Sequence, residues 1–460
     1  VTTSMLRDVA QSIFQQSVAD CSIERAFAKA IHVRNEKGNR KLLVQGIEPI
    51  ELDHLKHIRV ISVGKASIAM LTALLTCLEP WFQYDVSGVL VAGEQPPTLP
   101  PGFQFFQGGH PLPNEASQAG AQAALQMLHD LRKDEATASE TLVLFLISGG
   151  GSAMMELPLD SSISLEDIKS FYRELVHSGA SIAEINCLRK HFSAVKGGRL
   201  ALAARGIASL SLFISDVPPE HLDALASGPT LHDTSTIKQC REILARYDLQ
   251  SRFPRSVRQF FDRPDLSETP KPESFTARAI TLLTSDHLAE AARIRAEELG
   301  FHVVIDNTCD DWDYRKAAEY LIDRIRSLRS IYLRVCLISS GEVTVKLPSG
   351  TKRGSFGLGG RNQHFSLYAA TLLEAADAST VVLSAGSDGI DGNSPAAGGV
   401  VDEQTLHGVS GNVRGDVRDA AKSLQEFDSY SFLERMGATI STGATGNNLR
   451  DLRILLSAGG

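Results

Sequence analysis

Residues 141–152 read TLVLFLISGGGS. Six of the first seven are apolar, and the run closes in Ser148-Gly149-Gly150-Gly151-Ser152. A short continuous apolar run bounded by a turn signal reads as a strand buried on both faces. Three consecutive glycines exceed what a turn needs. They predict a loop whose amides can approach an anion with no side chain in the way, at the start of the next helix. The competing reading is close packing of helix on strand. In open parallel sheets, ligands sit beyond the carboxyl ends of the strands, so this stretch predicts both a fold and a place to look for chemistry.

Working outward, the pattern recurs. IRVISVG (58–64), VSGVLVAG (86–93) and SLSLFISDV (209–217) read as strands, with helices over 65–78, 116–131, 164–179 and 181–196. Residues 5–31 read as one or two amphipathic helices. Alternation of buried strands and helices predicts an α/β fold around a parallel sheet. Residues 263–276, RPDLSETPKPESFT, hold three prolines and read as a linker. The alternation then restarts with the strands ARAITLLT (277–284), FHVVID (301–306), YLRVCLIS (332–339), GEVTVKL (341–347) and TVVLSAG (380–386). Two α/β domains are expected, residues 1–265 and 277–460.

The totals narrow the function. A net charge of −8 over 460 residues argues against a nucleic-acid binder. No apolar run approaches the roughly 20 residues of a membrane span. The start, VTTSMLRDVAQSIFQQ, has neither the basic opening nor the apolar core of a secretion signal. Six scattered cysteines with no CxxC pair predict reduced thiols in the cytoplasm and speak against a structural zinc site.

The loops after the strands carry the candidate chemistry. Gly64-Lys65-Ala66-Ser67 places a lysine at a helix start, which is unfavourable unless an anion binds there. Neither this loop nor Ser148–Ser152 is a named nucleotide motif: Arg59 breaks a Walker pattern, and Met154 breaks a dinucleotide fingerprint. GLGGRN (357–362) fails likewise at Asn362. Arg189, Lys190, His191, Lys196 and Arg199 form a local positive cluster. Asp216 and Asp388 end strands, with Asp391 one turn on, and Glu342 precedes the strand expected at 343–347. Such carboxylates can hold Mg²⁺, which prefers oxygen ligands. Gly354–Asn362 is a glycine-rich loop in which Gly359, Gly360, Arg361 and Asn362 lead into a helix, and the arginine fork suits phosphate or carboxylate. Cations, glycine amides and carboxylates without a nucleophile–base pair suit phosphoryl transfer, where catalysis is mostly positioning and charge neutralisation.

Taken together, GKAS (64–67), GGHPLPN (108–114), LISGGGSA (146–153), RKHFSAVKGGRLA (189–201), SDV and ASGPT (within 215–230), GEVTV (341–345), GLGGRNQ (357–363), SDGIDGN and AAG (within 387–398) and TGATGNN (442–448) resemble the type II glycerate 2-kinase family, whose members carry a MOFRL domain. The resemblance spans nearly the whole chain. It implies a larger Rossmann-like N-terminal domain, a smaller α/β MOFRL domain, and an active site in a cleft between them. It further implies transfer of phosphate from ATP to the 2-hydroxyl of D-glycerate, with Mg²⁺. Lys65 and Arg361 match positions important for activity in the family. Asp216 or Asp388 would hold the metal or orient the hydroxyl, with Glu342 a third oxygen donor. Ser148 to Ser152, Arg189, Lys196, Gly359, Gly360 and Asn362 would bind substrate oxygens. The partners implied are small molecules, with a homodimer one compatible assembly. An NAD(P)H-dependent hydroxypyruvate reductase and a noncatalytic anion-binding relative are the alternatives.

Overall fold

The computed structural model describes residues 3–36, 39–79, 85–347, 356–406 and 417–459. The chain divides into two compact units, Ile23–Leu282 and a second made of Val1–Ser22 with Leu283–Gly460.

In the first unit a small antiparallel sheet, β1 (Ile31–Glu36), β2 (Asn39–Val44) and β3 (Ile50–Glu51), accompanies a six-stranded sheet. The latter comprises β4 (His57–Val63), β5 (Asp85–Ala92), β6 (Phe103–Gln107), β7 (Thr141–Ser148), β8 (Ala208–Ile214) and β9 (Ala279–Leu283), in the order β6-β5-β4-β7-β8-β9. β4 pairs parallel with β5 and β7, setting Val60 beside Leu144 and Val63 beside Ile147. All eight residues of β7 are buried, as the apolar run predicts for a central strand. Helix Ser67–Leu78 packs on β4, β5 and β7, and helix Glu115–Lys133 on β5 and β6. A separate helical core is built from Phe171, Phe192, Phe253, Phe260 and Phe261.

The second unit also holds a six-stranded sheet: β10 (His302–Ile305), β11 (Arg334–Ser340), β12 (Thr380–Gly386), β13 (Gly398–Asp402), β14 (Thr439–Ile440) and β15 (Asp451–Ala458), in the order β10-β11-β15-β12-β13-β14. Only β10 and β11 pair parallel; β15 lies antiparallel between β11 and β12, wholly buried. The α/β class holds in both units, but this sheet is mixed.

Three expectations change. Helix Thr3–Asp20 joins the second unit, because its apolar stripe of Leu6, Ala10, Ile13 and Phe14 is buried against helix Ser285–Glu298, β12 and β15. Residues 263–276 are no linker. Thr269 is buried and donates to Asp233 at 2.8 Å, Asp233 N donates to the Pro270 carbonyl, and Lys271 Nζ donates to the Asp233 carbonyl. The strand that follows, β9, completes the first sheet beside β8, with Ser211 N donating to the Arg278 carbonyl at 2.9 Å. Finally, 341–347 is not a strand. Gly341 takes a left-handed φ of 108°, and the segment bonds to the 310–314 loop through Asp311 N to Glu342 O and Thr344 N to Trp312 O. Among the described residues, no helix is long and apolar enough to cross a membrane.

Candidate active site

Numbered along the chain, the strands of the first unit's sheet stand in the order 3-2-1-4-5-6. The order reverses between β4 and β7, the position at which open α/β sheets bind ligands beyond the carboxyl ends of their strands. The Lys65 and triple-glycine loops leave the sheet there. They are knitted together: Lys65 N donates to the Gly149 carbonyl at 2.9 Å, and Ala66 N to Ser148 Oγ at 3.0 Å. Ser148 is therefore buried joinery.

Each of the three glycines has its own reason. A Cβ on Gly149 would fall 1.9 Å from Asp216 Oδ2. Gly150 takes a left-handed φ of 82° beneath Lys65 Cγ and His110 Cδ2. A Cβ on Gly151 would fall 2.9 Å from Ala226 Cβ. The expected helix is only Gly151–Met154, four residues, too short for a strong dipole. The amides of Gly149, Gly150, Gly151 and Ser152 nevertheless donate to no acceptor among the described residues.

Lys65, His110 and Asp216 thus converge on one backbone cradle. Lys65 is exposed and has no carboxylate partner among the described residues. Burial, and after it the Lys65 charge, hold the His110 imidazole below its ordinary pKa, so it is neutral at pH 7. Nearby, Ala226 (φ 50°) and Ser227 (φ 61°) hold left-handed conformations that side chains disfavour. Ser227 Oγ is fixed by Ser152 Oγ at 2.8 Å and Asn186 Oδ1 at 3.0 Å. The Ser152 hydroxyl is engaged there.

The positive cluster mostly faces inward. Lys196 is 1% exposed, and its Nζ lies 2.5 Å from Oε2 of Glu156, which is 0% exposed. Tyr172 also donates to Glu156. Lys196 is thus consumed by a buried ion pair and cannot bind substrate oxygens as expected. Desolvation lowers its pKa against the pull of Glu156. Lys190 is likewise buried between Asp223 and Asp233. Arg189 is different: its guanidinium stacks 4.5 Å from the Tyr172 ring centre and has no carboxylate partner among the described residues.

In the second unit, helix Arg361–Leu372 starts at the glycine loop, whose first two residues, Gly354 and Ser355, lie outside the described residues. The Arg361 fork holds both oxygens of buried Asp451, and Glu342 Oε1 lies 2.8 Å from the same guanidinium. Both carboxylates raise the Arg361 pKa against the opposing effect of burial. Arg361 is therefore a paired cation, not a bare one. The glycines make room for neighbours: a Cβ on Gly359 would meet Ser429 Oγ at 2.3 Å, and one on Gly360 would meet Asp391 Oδ1 at 2.3 Å. Gly359 N donates to Asn393, so its amide is not offered to a substrate. Asn362 is buried between Asp391 and Ser384, so it too is structural rather than substrate-binding. Asp388 is half-buried and accepts from Ile390 N at 3.0 Å. Oxygens of Asp388 and Asp451 lie 3.0 and 3.5 Å from the point where a Gly386 Cβ would stand.

Comparison with known proteins decides the family. Residues 9–262 match a domain of unknown function, DUF4147, and residues 335–451 match the MOFRL family. The chain is 33% identical to the glycerate 2-kinase of Pyrococcus horikoshii, over 98% of this chain and 97% of that one. The chain belongs to the glycerate kinase family. The crystal structure of glycerate kinase from Thermotoga maritima superposes with a TM-score of 0.80 at 31% identity, covering 99% of this chain and 100% of that one. A relative from Agrobacterium vitis that carries the name of a hydroxypyruvate reductase is 33% identical over 86% of each chain.

For this glycerate kinase family member, the sequence reading overlooked His110, Glu156, Ser227 and Asp451. His110 stands in the quoted GGHPLPN motif, so its signal was present. Glu156 and Asp451 had none, because a carboxylate next to an apolar run looks the same whether it is buried or not.

Proposed function

We propose that this chain transfers the γ-phosphoryl group of ATP to the 2-hydroxyl of D-glycerate, giving 2-phosphoglycerate and ADP. The observation that carries the reading is the cradle at the strand-order reversal, where uncommitted amides of Gly149 to Ser152 lie beneath Lys65, which has no carboxylate partner among the described residues. Lys65 and the amides neutralise an anionic oxygen, the task phosphoryl transfer sets. Neutral His110 can accept the hydroxyl proton, and Asp216, against Gly149, orients the hydroxyl. Arg189, stacked on Tyr172, is the second cation fit to meet a carboxylate. Arg361, pre-aimed by Asp451 and Glu342, keeps part of its five-donor fork for a phosphate oxygen.

Glu342 and Asp388 are oxygen donors of the kind Mg²⁺ takes, whereas the Asp451 carboxylate is already spanned by the Arg361 fork. When bound, Mg²⁺ supplies charge neutralisation for the phosphates. Six free cysteines support a reducing, cytoplasmic setting.

The test is a coupled assay of ADP release with D-glycerate, with ³¹P NMR of the product. Full turnover by Lys65→Ala would remove the role assigned to the cradle. A second reading, reduction of hydroxypyruvate, draws on the dinucleotide-type strand order. Here, however, the first turn reads Gly64-Lys65-Ala66-Ser67 and lacks the glycine fingerprint. Consumption of NADH with hydroxypyruvate, in the absence of ATP, would favour that reading.

A further inference from the structure

Helices Ile182–Phe192 and Ile237–Arg246 pack against each other in the helical layer of the first unit. Cys187 and His191 are four residues apart on the first helix and share a face. Cys240 meets them from the second. One ligand atom from each residue lies within 4.8 Å of the others, and exposures are 5, 0 and 0%. Tetrahedral zinc, with bonds of about 2.3 Å to sulfur and 2.0–2.1 Å to nitrogen, sets its ligand atoms roughly 3.5–3.8 Å apart. Side-chain adjustments of about an ångström close the present trio to that spacing.

The surroundings are those of a ligand set. Whichever imidazole nitrogen takes a metal, the other already has an acceptor: Nδ1 lies 2.9 Å from the Cys187 carbonyl, and Nε2 lies 3.4 Å from Glu268 Oε2. Glu268 is anchored at the start of the second helix by Ile237 N at 2.8 Å, and its carboxylate is 42% exposed. It offers an oxygen as the fourth ligand when Nδ1 keeps its bond to the Cys187 carbonyl, and it marks the way in from solvent. The sequence spoke against zinc because no close cysteine pair exists, yet packing brings together cysteines 53 positions apart.

We infer that Cys187, His191 and Cys240, with Glu268 on the open side, form a binding site for a thiophilic divalent cation of the zinc class, independent of the phosphoryl-transfer site. Binding releases both thiol protons to solvent, and the two thiolates then balance the dication, leaving no net buried charge. The metal would clamp the helix that carries Asn186 and Arg189 to its neighbour.

Cobalt titration of the fully reduced, chelator-stripped protein tests this. The expected result is one Co²⁺ per chain with a near-ultraviolet thiolate-to-cobalt charge-transfer band. That band should be abolished in Cys187→Ser and in Cys240→Ser, and kept in Cys336→Ser. Cobalt held by carboxylates of a magnesium site gives no such band. Should the variants fold poorly, zinc-edge X-ray absorption on the zinc-loaded wild-type chain should show two sulfurs at about 2.3 Å. Absence of the band in the reduced wild type, its persistence in both single variants, or a sulfur-free zinc shell would overturn the inference.

Discussion

Lys196 and Glu156 form an ion pair sealed from water, 2.5 Å between Nζ and Oε2, at 1 and 0% exposure. Removing one member leaves the other charged and buried. Lys196→Met should lower unfolding stability by about 3–5 kcal/mol in urea denaturation. The double change Lys196→Met with Glu156→Leu should recover much of it, since an apolar pair of similar volume suits the site. An unaltered midpoint in the single variant would show that the pair is not buried as described.

Lys65 is the opposite case, a cation exposed to solvent. Lys65→Ala should leave the melting temperature nearly unchanged and lower kcat/KM for glycerate by roughly 10²–10³-fold, the scale of losing one charge-stabilising donor. A parallel drop in stability and activity would mean that the residue acts through the fold instead.

Arg361 is a paired cation and, on the proposed function, also a phosphate-binding one. Its fork spans the two oxygens of Asp451, a geometry an ammonium cannot reproduce. Arg361→Lys is therefore expected to lose activity by more than about tenfold and to melt earlier. Arg361→Ala should fall further on both measures, because Asp451 is then buried without a partner. Steady-state kinetics and calorimetry on the same preparations separate the two effects.

Asp391 predicts a pH dependence. Burial pushes its carboxyl up to about 7, against bonds from the Gln363 and Asn362 amides, with the Asp451 charge adding to the rise. The folded state then binds more protons than the unfolded state between the ordinary value of 3.8 and about 7. The contribution of Asp391 is fully present below the unfolded value and is lost as pH rises through the folded one. The stability difference between wild type and Asp391→Asn should therefore shift against the wild type from pH 4 to pH 7, and flatten above. A difference that stays level across that range in denaturant titrations would contradict the assignment.

β4, β5, β7 and β8 of the first sheet were legible because each is an apolar run closed by a loop signal, as at Leu142–Ser148, whereas the short edge strand β6 (Phe103–Gln107) was not read and β9 was assigned to the second domain. Gly149–Gly151 and Lys65 were legible as a candidate site for the same reason: in a parallel sheet, the loop after a strand is where a ligand goes. Cys187 and Cys240, by contrast, have no local signature of their meeting.

By itself, the sequence determined the α/β class, the central strands, the family motifs, and Lys65 as a cation at a strand end. These depend on periodicity and nearest neighbours, which the chain carries locally. Tertiary structure alone decided that the first helix serves the second unit, that 263–276 is stitched down, that Lys196 is spent on Glu156, and that Arg361 is held by Asp451. Each of these depends on a partner far along the chain. A charged side chain reads the same in sequence whether water or a buried carboxylate awaits it, and only packing makes that choice.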